Sequence, residues 1–106
     1  MIVTNKGDLD MKVNAYLEIT MKIAEKNRSA AAQIYEKYRV PFLNTITGAL
    51  TKEWLIREED VQVLHGFDFL EHAAAYWNSQ LFQNDVFVEL QPLWETEPEV
   101  KIYQVA

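Results

Sequence analysis

Two ionisable side chains on predicted central strands, Glu18 and His65, are the strongest candidates for chemistry in this sequence. Desolvation makes a carboxylate a stronger base, and an imidazole beside it titrates near neutral pH. A base of this kind removes the proton of an electron-rich phenol or quinol, whose anion then meets dioxygen without a cofactor. The aromatic residues Tyr16, Trp54 and Tyr103 are predicted to line such a pocket.

Two other interpretations compete with this one. In the first, Glu18 pairs with a lysine or arginine, and His65 is a structural histidine of the core or the sheet edge. In the second, His65, Asp68 and His72 bind a metal ion. Asp68 is better explained as a helix N-cap, and two histidines without a third firm ligand make a poor zinc or iron site. We therefore expect no metal and no cofactor.

The composition excludes several other classes of function. The 106 residues contain no cysteine, so disulfides, thiolate metal sites and cysteine nucleophiles are ruled out. The three glycines are not clustered into a phosphate-binding loop, and the formal charge of −6 disfavours a nucleic-acid partner. No apolar run approaches the roughly 20 residues that cross a bilayer, and no secretory leader pattern opens the sequence. We expect a cytoplasmic protein without a membrane partner.

The elements that must position these residues follow from the spacing of the apolar residues. Strict alternation over residues 12–23 predicts a strand with one face in the core. Ser29 is placed to cap a helix that Pro41 would kink or break. The runs 50–57 and 61–67 predict a hairpin of two strands.

The rest of the chain predicts two short helices and a final strand. Asp68 and Glu71 have the spacing of a capping box, which would begin the first of these helices. Asp85 is placed to cap the second, and residues 100–105 predict the last strand. Residues 1–11 have little periodicity and are expected to be a flexible N-terminal extension to a single domain over 12–106.

The order strand, helix, strand, strand, helix, strand predicts an α+β fold of the ferredoxin-like βαββαβ type, with helices on one face of a four-stranded antiparallel sheet. The first and third strands would then be central. The other face of the sheet carries Tyr16, Tyr103 and Val105, and the hairpin is apolar on both sides. A patch of that kind usually marks an interface, so we expect a homodimer that packs sheet on sheet.

The sequence resembles the antibiotic-biosynthesis-monooxygenase-like domains of the dimeric α/β-barrel group. The resemblance covers residues 12–105 and is clearest over 64–73 (LHGFDFLEHA), at Tyr76, over 79–82 and over 101–103 (KIY). It implies a dimeric barrel and a cofactor-independent monooxygenase-like protein acting on a small aromatic or quinol-type compound. It adds Asn14, at the start of the first strand, to the expected substrate-binding residues. The alternative is a non-catalytic dimeric module that binds a small ligand or only dimerises.

Haem degradation is a further activity within this resemblance. The haem-degrading relatives use an asparagine on the first strand, an aromatic residue on the second helix and a histidine after it. Asn14 and either Tyr76 or Trp77 match the first two positions, but no histidine follows His72. Because the iron would lack an axial imidazole, we expect no haem.

Overall fold

A computed structural model describes residues 12–106, and the predicted extension over 1–11 lies outside this range. The strands are β1 (Ala15–Met21), β2 (Ala49–Ile56), β3 (Val61–Phe67) and β4 (Glu99–Gln104). The helices are α1 (Arg28–Thr45), α2 (Leu70–Trp77) and α3 (Phe87–Leu90). Short 3-10 turns occupy Glu25–Asn27 and Gln91–Leu93, and a π-helix spans Leu81–Val86.

The four strands form one antiparallel sheet in the order β2–β3–β1–β4. β1 and β3 are therefore central, as predicted. β1 keeps its alternation: Leu17 and Met21 are fully buried towards the helices, whereas Tyr16 and Glu18 point to the other side and are partly exposed. The alternation of apolar residues fixes which side of each strand meets the core.

The core lies between this sheet and the helices. Phe42 of α1 and Tyr76 of α2 meet edge to face at a centroid distance of 4.9 Å, and both rings contact Phe67 of β3. Phe82, from the π-helix, packs on the ring of Tyr76. The predicted α+β ferredoxin-like fold is confirmed, with the helices on one face of the sheet.

Three predicted helix starts are wrong. Ser29 lies inside α1, which begins at Arg28 without a side-chain cap and continues unbroken through Pro41. Asp68 does not cap α2, because its carboxylate contacts the ring of His72 instead. Asp85 begins no helix, since it lies within the π-helix that runs directly into α3.

The sheet face opposite the helices has no covering layer among residues 12–106. We call it the open face. It presents apolar side chains among polar ones, and Leu55 and Tyr103 are 41% and 45% exposed. No helix in the described part of the chain is both long and apolar enough to span a bilayer.

Candidate functional site

The register of the sheet separates the two residues that were expected to act together. His65 pairs with Leu17 and shares its buried, helix-facing side. Glu18 pairs with Leu64 and Lys101 and lies on the open face. Because neighbouring residues of a strand point to opposite sides, the sheet itself stands between the carboxylate and the imidazole. The predicted Glu18–His65 pair is therefore wrong.

The predicted pocket residues are divided in the same way. Tyr16 and Tyr103 are direct cross-strand partners on the open face. Trp54 faces the helices, where its ring packs at 5.5 Å from that of Tyr35, so it cannot share a pocket with the two tyrosines. Asn14 precedes β1, and its side-chain amide donates a hydrogen bond to the backbone oxygen of Asp68.

The helix-facing side holds a cavity between β1, β2, β3, α1 and the segment 81–90, which we call the inner cavity. Its lining is mostly apolar, with two aromatic rings from Tyr35 and Trp54 and two nitrogen bases from Lys52 and His65. The remaining lining residues are Ile19, Met21, Ile34, Val63, Phe82, Val86 and Leu90. The volume of the inner cavity is about 20 Å³, which leaves space for little more than water.

Lys52 is the most unusual residue of the inner cavity. Its side chain is only 4% exposed, and its Nζ lies 5.4 Å from the ring centre of Tyr35 and 5.5 Å from that of Phe42. Within residues 12–106, no carboxylate lies within ion-pair distance of this nitrogen. Desolvation, reinforced by the positive charge of Arg39, lowers the pKa of Lys52 to about 8, while Glu36 opposes the shift.

His65 lies beside Lys52 as its cross-strand partner and is 2% exposed. Its Nδ1 is 3.0 Å from the backbone oxygen of Leu17, which can only accept, so Nδ1 carries the proton and Nε2 is unprotonated. Desolvation, together with the nearby charge of Lys52, lowers the pKa of His65 to about 3. The imidazole is therefore neutral at physiological pH and is a much weaker base than Lys52.

A second group of polar residues lies at the end of β3, outside the inner cavity. Nδ1 of His72 contacts a carboxylate oxygen of Asp68 at 2.6 Å. A nearby surface pocket is lined by His72, Tyr76 and the loop after α1, and the hydroxyl of Tyr76 is buried without a hydrogen-bond partner in the described structure.

No group of three potential metal ligands is close enough, across residues 12–106, to hold an ion.

Lys52 is the residue that the sequence analysis missed, although the sequence contained a signal for it. Lys52 alternates with Trp54 and Ile56, so a charged side chain stands on an otherwise apolar strand face. A lysine is rarely buried without a partner. A lysine on the same strand face as two apolar residues is therefore a candidate for a functional role.

Comparison with solved structures finds the same fold in several bacterial and archaeal proteins. A "putative antibiotic biosynthesis monooxygenase" from Caulobacter crescentus CB15 superposes with a TM-score of 0.75 at 10% identity, covering 96% of this chain and 98% of that one. A conserved protein from Methanosarcina mazei Go1 gives 0.74 at 12% identity, covering 93% and 99%. A protein of unknown function from Nitrosomonas europaea gives 0.73 at 14% identity, covering 90% and 91%.

No protein-family model matches the sequence, and no curated protein matches it either. The solved structures confirm the resemblance to antibiotic-biosynthesis-monooxygenase-like domains at the level of the fold. A fold of this kind carries several functions, so the activity has to be argued from the residues of the site.

Proposed function

We propose that this chain is a cofactor-independent monooxygenase of small phenols or quinols, acting as a homodimer with its substrate in the inner cavity. The observation that carries the proposal is the amine of Lys52, which lies in an aromatic-walled cavity without a carboxylate partner among the described residues. The monooxygenase names of several structures with the same fold support it. The cytoplasmic location stays a prediction from the sequence.

Lys52 takes the role of general base that was first assigned to Glu18 and His65. A catalytic base is most effective when its pKa lies near the working pH, and the pKa of Lys52 is about 8. The imidazole of His65, with its pKa near 3, stays neutral at physiological pH and is too weak a base to take the substrate proton in place of Lys52. Glu18, on the open face, has no part in this cavity.

In the proposed reaction, the neutral amine of Lys52 takes the hydroxyl proton of a phenol, and the new ammonium pairs with the phenolate. Dioxygen forms a C–O bond at a ring carbon that carries hydrogen, para to that oxygen in a phenol and ortho to it in a quinol, and the O–O bond then breaks. One oxygen stays as the quinone carbonyl. The other leaves as water with the hydrogen of the ring carbon and the proton held by Lys52. Phenol and O₂ thus give quinone and water, and the phenol supplies all four electrons.

The small size of the inner cavity requires an opening movement before a substrate can enter. Three of its lining residues, Phe82, Val86 and Leu90, come from the segment 81–90, which is partly a π-helix. Such irregular helical turns are frequent at functional sites. We propose that displacement of this segment opens the cavity to a planar ring and that its return excludes water from the phenolate.

Oxygen uptake with a panel of monophenols and hydroquinones tests the proposal. We expect the wild type to consume one O₂ for each quinone formed, with no oxygen returned on adding catalase, because no peroxide is released. Lys52→Met should lower kcat/KM by about 10²–10⁴-fold, the usual contribution of a general base. Glu18→Gln is the matched control and should keep the wild-type rate.

The alternative proposal, a module that binds a small ligand without reacting with it, has its own signature. Such a module would bind phenols from the same panel, shown by isothermal titration calorimetry, but would leave the background rate of oxygen uptake unchanged. A wild-type rate that Lys52→Met retains would refute the assignment of Lys52 as the base.

A further inference from the structure

The amine of Lys52 is held in surroundings that suit a nucleophile. The charged and titratable groups whose fields reach it are Arg39 and Glu36 on α1 and His65 on β3. Arg39 and Glu36 have opposite charges and are exposed, and neither forms an ion pair that would hold the amine in its protonated form. Aromatic faces of Tyr35 and Phe42 flank the nitrogen instead.

Only an unprotonated lysine attacks a carbonyl carbon, and burial in an apolar pocket is the usual way to obtain one. The pKa of Lys52, about 8, gives a neutral fraction at pH 7 that is roughly three-hundredfold larger than that of an ordinary exposed lysine. Imine formation also releases water, and a cavity with little space for water disfavours the reverse hydrolysis. The inner cavity therefore combines the two conditions that imine formation requires.

We propose that Lys52 is a covalent site for small aromatic aldehydes or ketones, which it binds as imines in the inner cavity. The nitrogen lone pair attacks the carbonyl carbon, and a nitrogen proton moves to the carbonyl oxygen to give a carbinolamine. Loss of that hydroxyl with the second nitrogen proton releases one water and leaves the C=N bond.

The aromatic class of the carbonyl compound follows from the walls of the cavity. The rings of Tyr35 and Trp54 and the aliphatic side chains around them favour a planar apolar body, while Lys52 and His65 supply the basic nitrogens. The inference shares the opening of the segment 81–90 with the oxygenase proposal but not its chemistry, because imine formation needs neither dioxygen nor deprotonation of a phenol.

The test is reductive trapping of the full-length protein with 4-hydroxybenzaldehyde and cyanoborohydride at pH 7 under nitrogen, followed by peptide mapping. We expect one hydroxybenzyl-lysine per chain, with at least tenfold more label on Lys52 than on any exposed lysine. Label on the N-terminal amine, whose ordinary pKa is also near 8, is counted separately. Lys26, which is exposed in the 3-10 turn before α1, is the internal reference in the same digest. Because the label is located in the wild type, the test does not require a folded variant.

Two further measurements make the outcome specific. Lys52→Met should lose the single lysine label while Lys26→Met keeps it, and phenol added as a competitor should slow labelling of Lys52 but not of Lys26. Labelling spread over the exposed lysines, with none or no excess on Lys52, would overturn the inference. Since the experiment is anaerobic, its failure leaves the oxygen-uptake result standing, and the reverse is also true.

Discussion

At the scale of single residues, the buried amine of Lys52 controls how stability depends on pH. In the unfolded chain this lysine keeps its proton up to its ordinary pKa of 10.5, whereas in the folded chain it loses the proton near pH 8. Between these values the unfolded state binds more protons, so folding stability rises with pH through this window. The penalty of the buried charge is fully present below pH 8.

We expect the free energy of unfolding to gain about 2 kcal/mol from this group between pH 7.5 and 9.5. Urea titrations at pH 7.5, 8.5 and 9.5 measure it, and the same titrations of Lys52→Met subtract the contribution of tyrosines that begin to ionise near pH 9.5. Lys52→Met lacks the titrating group and should not show this gain. Parallel curves for the two proteins would mean that the amine of Lys52 is not desolvated.

His65 should control the acid side of the stability profile. Its folded pKa is about 3, against 6.5 in the unfolded chain, so the unfolded state binds more protons between these values and stability falls as the pH falls. The loss from pH 7.5 to 4.5 should be roughly 2–3 kcal/mol, measured by chemical denaturation. His65→Gln should flatten this slope. His72→Gln, whose parent side chain is 32% exposed, is the control that should keep it.

Whether a strand residue faces the core was readable from the sequence only where one side of the strand is clearly polar. β1 met that condition, and its alternation was predicted correctly. β3 did not, because Val63 and Leu64 are both apolar although only Val63 faces the helices, so the direction of His65 could not be fixed. The pairing with Glu18 was predicted from neighbouring strands alone, and adjacency in a sheet does not imply a shared face.

At the scale of elements, the turn between α1 and β2 is constrained by Gly48. Its φ of +81° is in the left-handed region, and a Cβ at this position would overlap Oδ1 of Asp68 and Nδ1 of His72. We expect Gly48→Ala to destabilise the fold by about 2 kcal/mol or more, from backbone strain and from separation of the Asp68–His72 contact. The corresponding fall in melting temperature is about 10 °C.

A second substitution at position 48 separates the two causes. Gly48→Asn tolerates a positive φ better than alanine but still carries a Cβ. If overlap with the Asp68–His72 contact is the larger cost, the asparagine variant should melt no higher than the alanine variant. Recovery of the wild-type melting temperature in Gly48→Asn would show that only the backbone angle matters.

The segment 81–90 is joined to α1 by one carboxylate. Glu89 accepts a hydrogen bond from the hydroxyl of Tyr38 and forms an ion pair with Lys37 at 2.8 Å. If this segment moves to admit a ligand, Glu89→Ala should raise its opening frequency, so its amides should exchange several-fold faster with deuterium. Amides of β1 should keep their protection, and Glu95→Ala should change neither region. Unchanged exchange over 81–90 would exclude Glu89 as the restraint.

The elements themselves were predicted better than their ends. All four strands lie within three residues of their predicted positions, since alternation and β-branched residues extend over most of each strand. The helix starts at Ser29, Asp68 and Asp85 were wrong, because residue type alone does not show where a polar side chain finds its partner. Asp68 contacts His72, one helical turn away, and this local competition was not visible in the spacing.

At the scale of the whole molecule, the two faces of the sheet have different roles. The helix-facing side encloses the core and the inner cavity, whereas the open face carries a row of cross-strand neighbours: Glu53, Leu64, Glu18 and Lys101. The Tyr16–Tyr103 pair lies two positions along from this row. A sheet with apolar side chains on an uncovered face normally packs against another layer, and a second copy is the simplest such layer.

We predict that the protein is a dimer of about twice 12.4 kDa at micromolar concentration, and that Leu64→Lys converts it to a monomer. In one copy the new ammonium lies between Glu18 and Glu53, its cross-strand neighbours, so the monomer keeps its fold. In a sheet-on-sheet dimer the same ammonium is forced into the interface, which costs several kcal/mol. Sedimentation equilibrium measures both states. Val88→Lys, at a residue that is 55% exposed on the helical side, should remain dimeric. A wild type that sediments at 12.4 kDa would show that the open face is not a self-association surface.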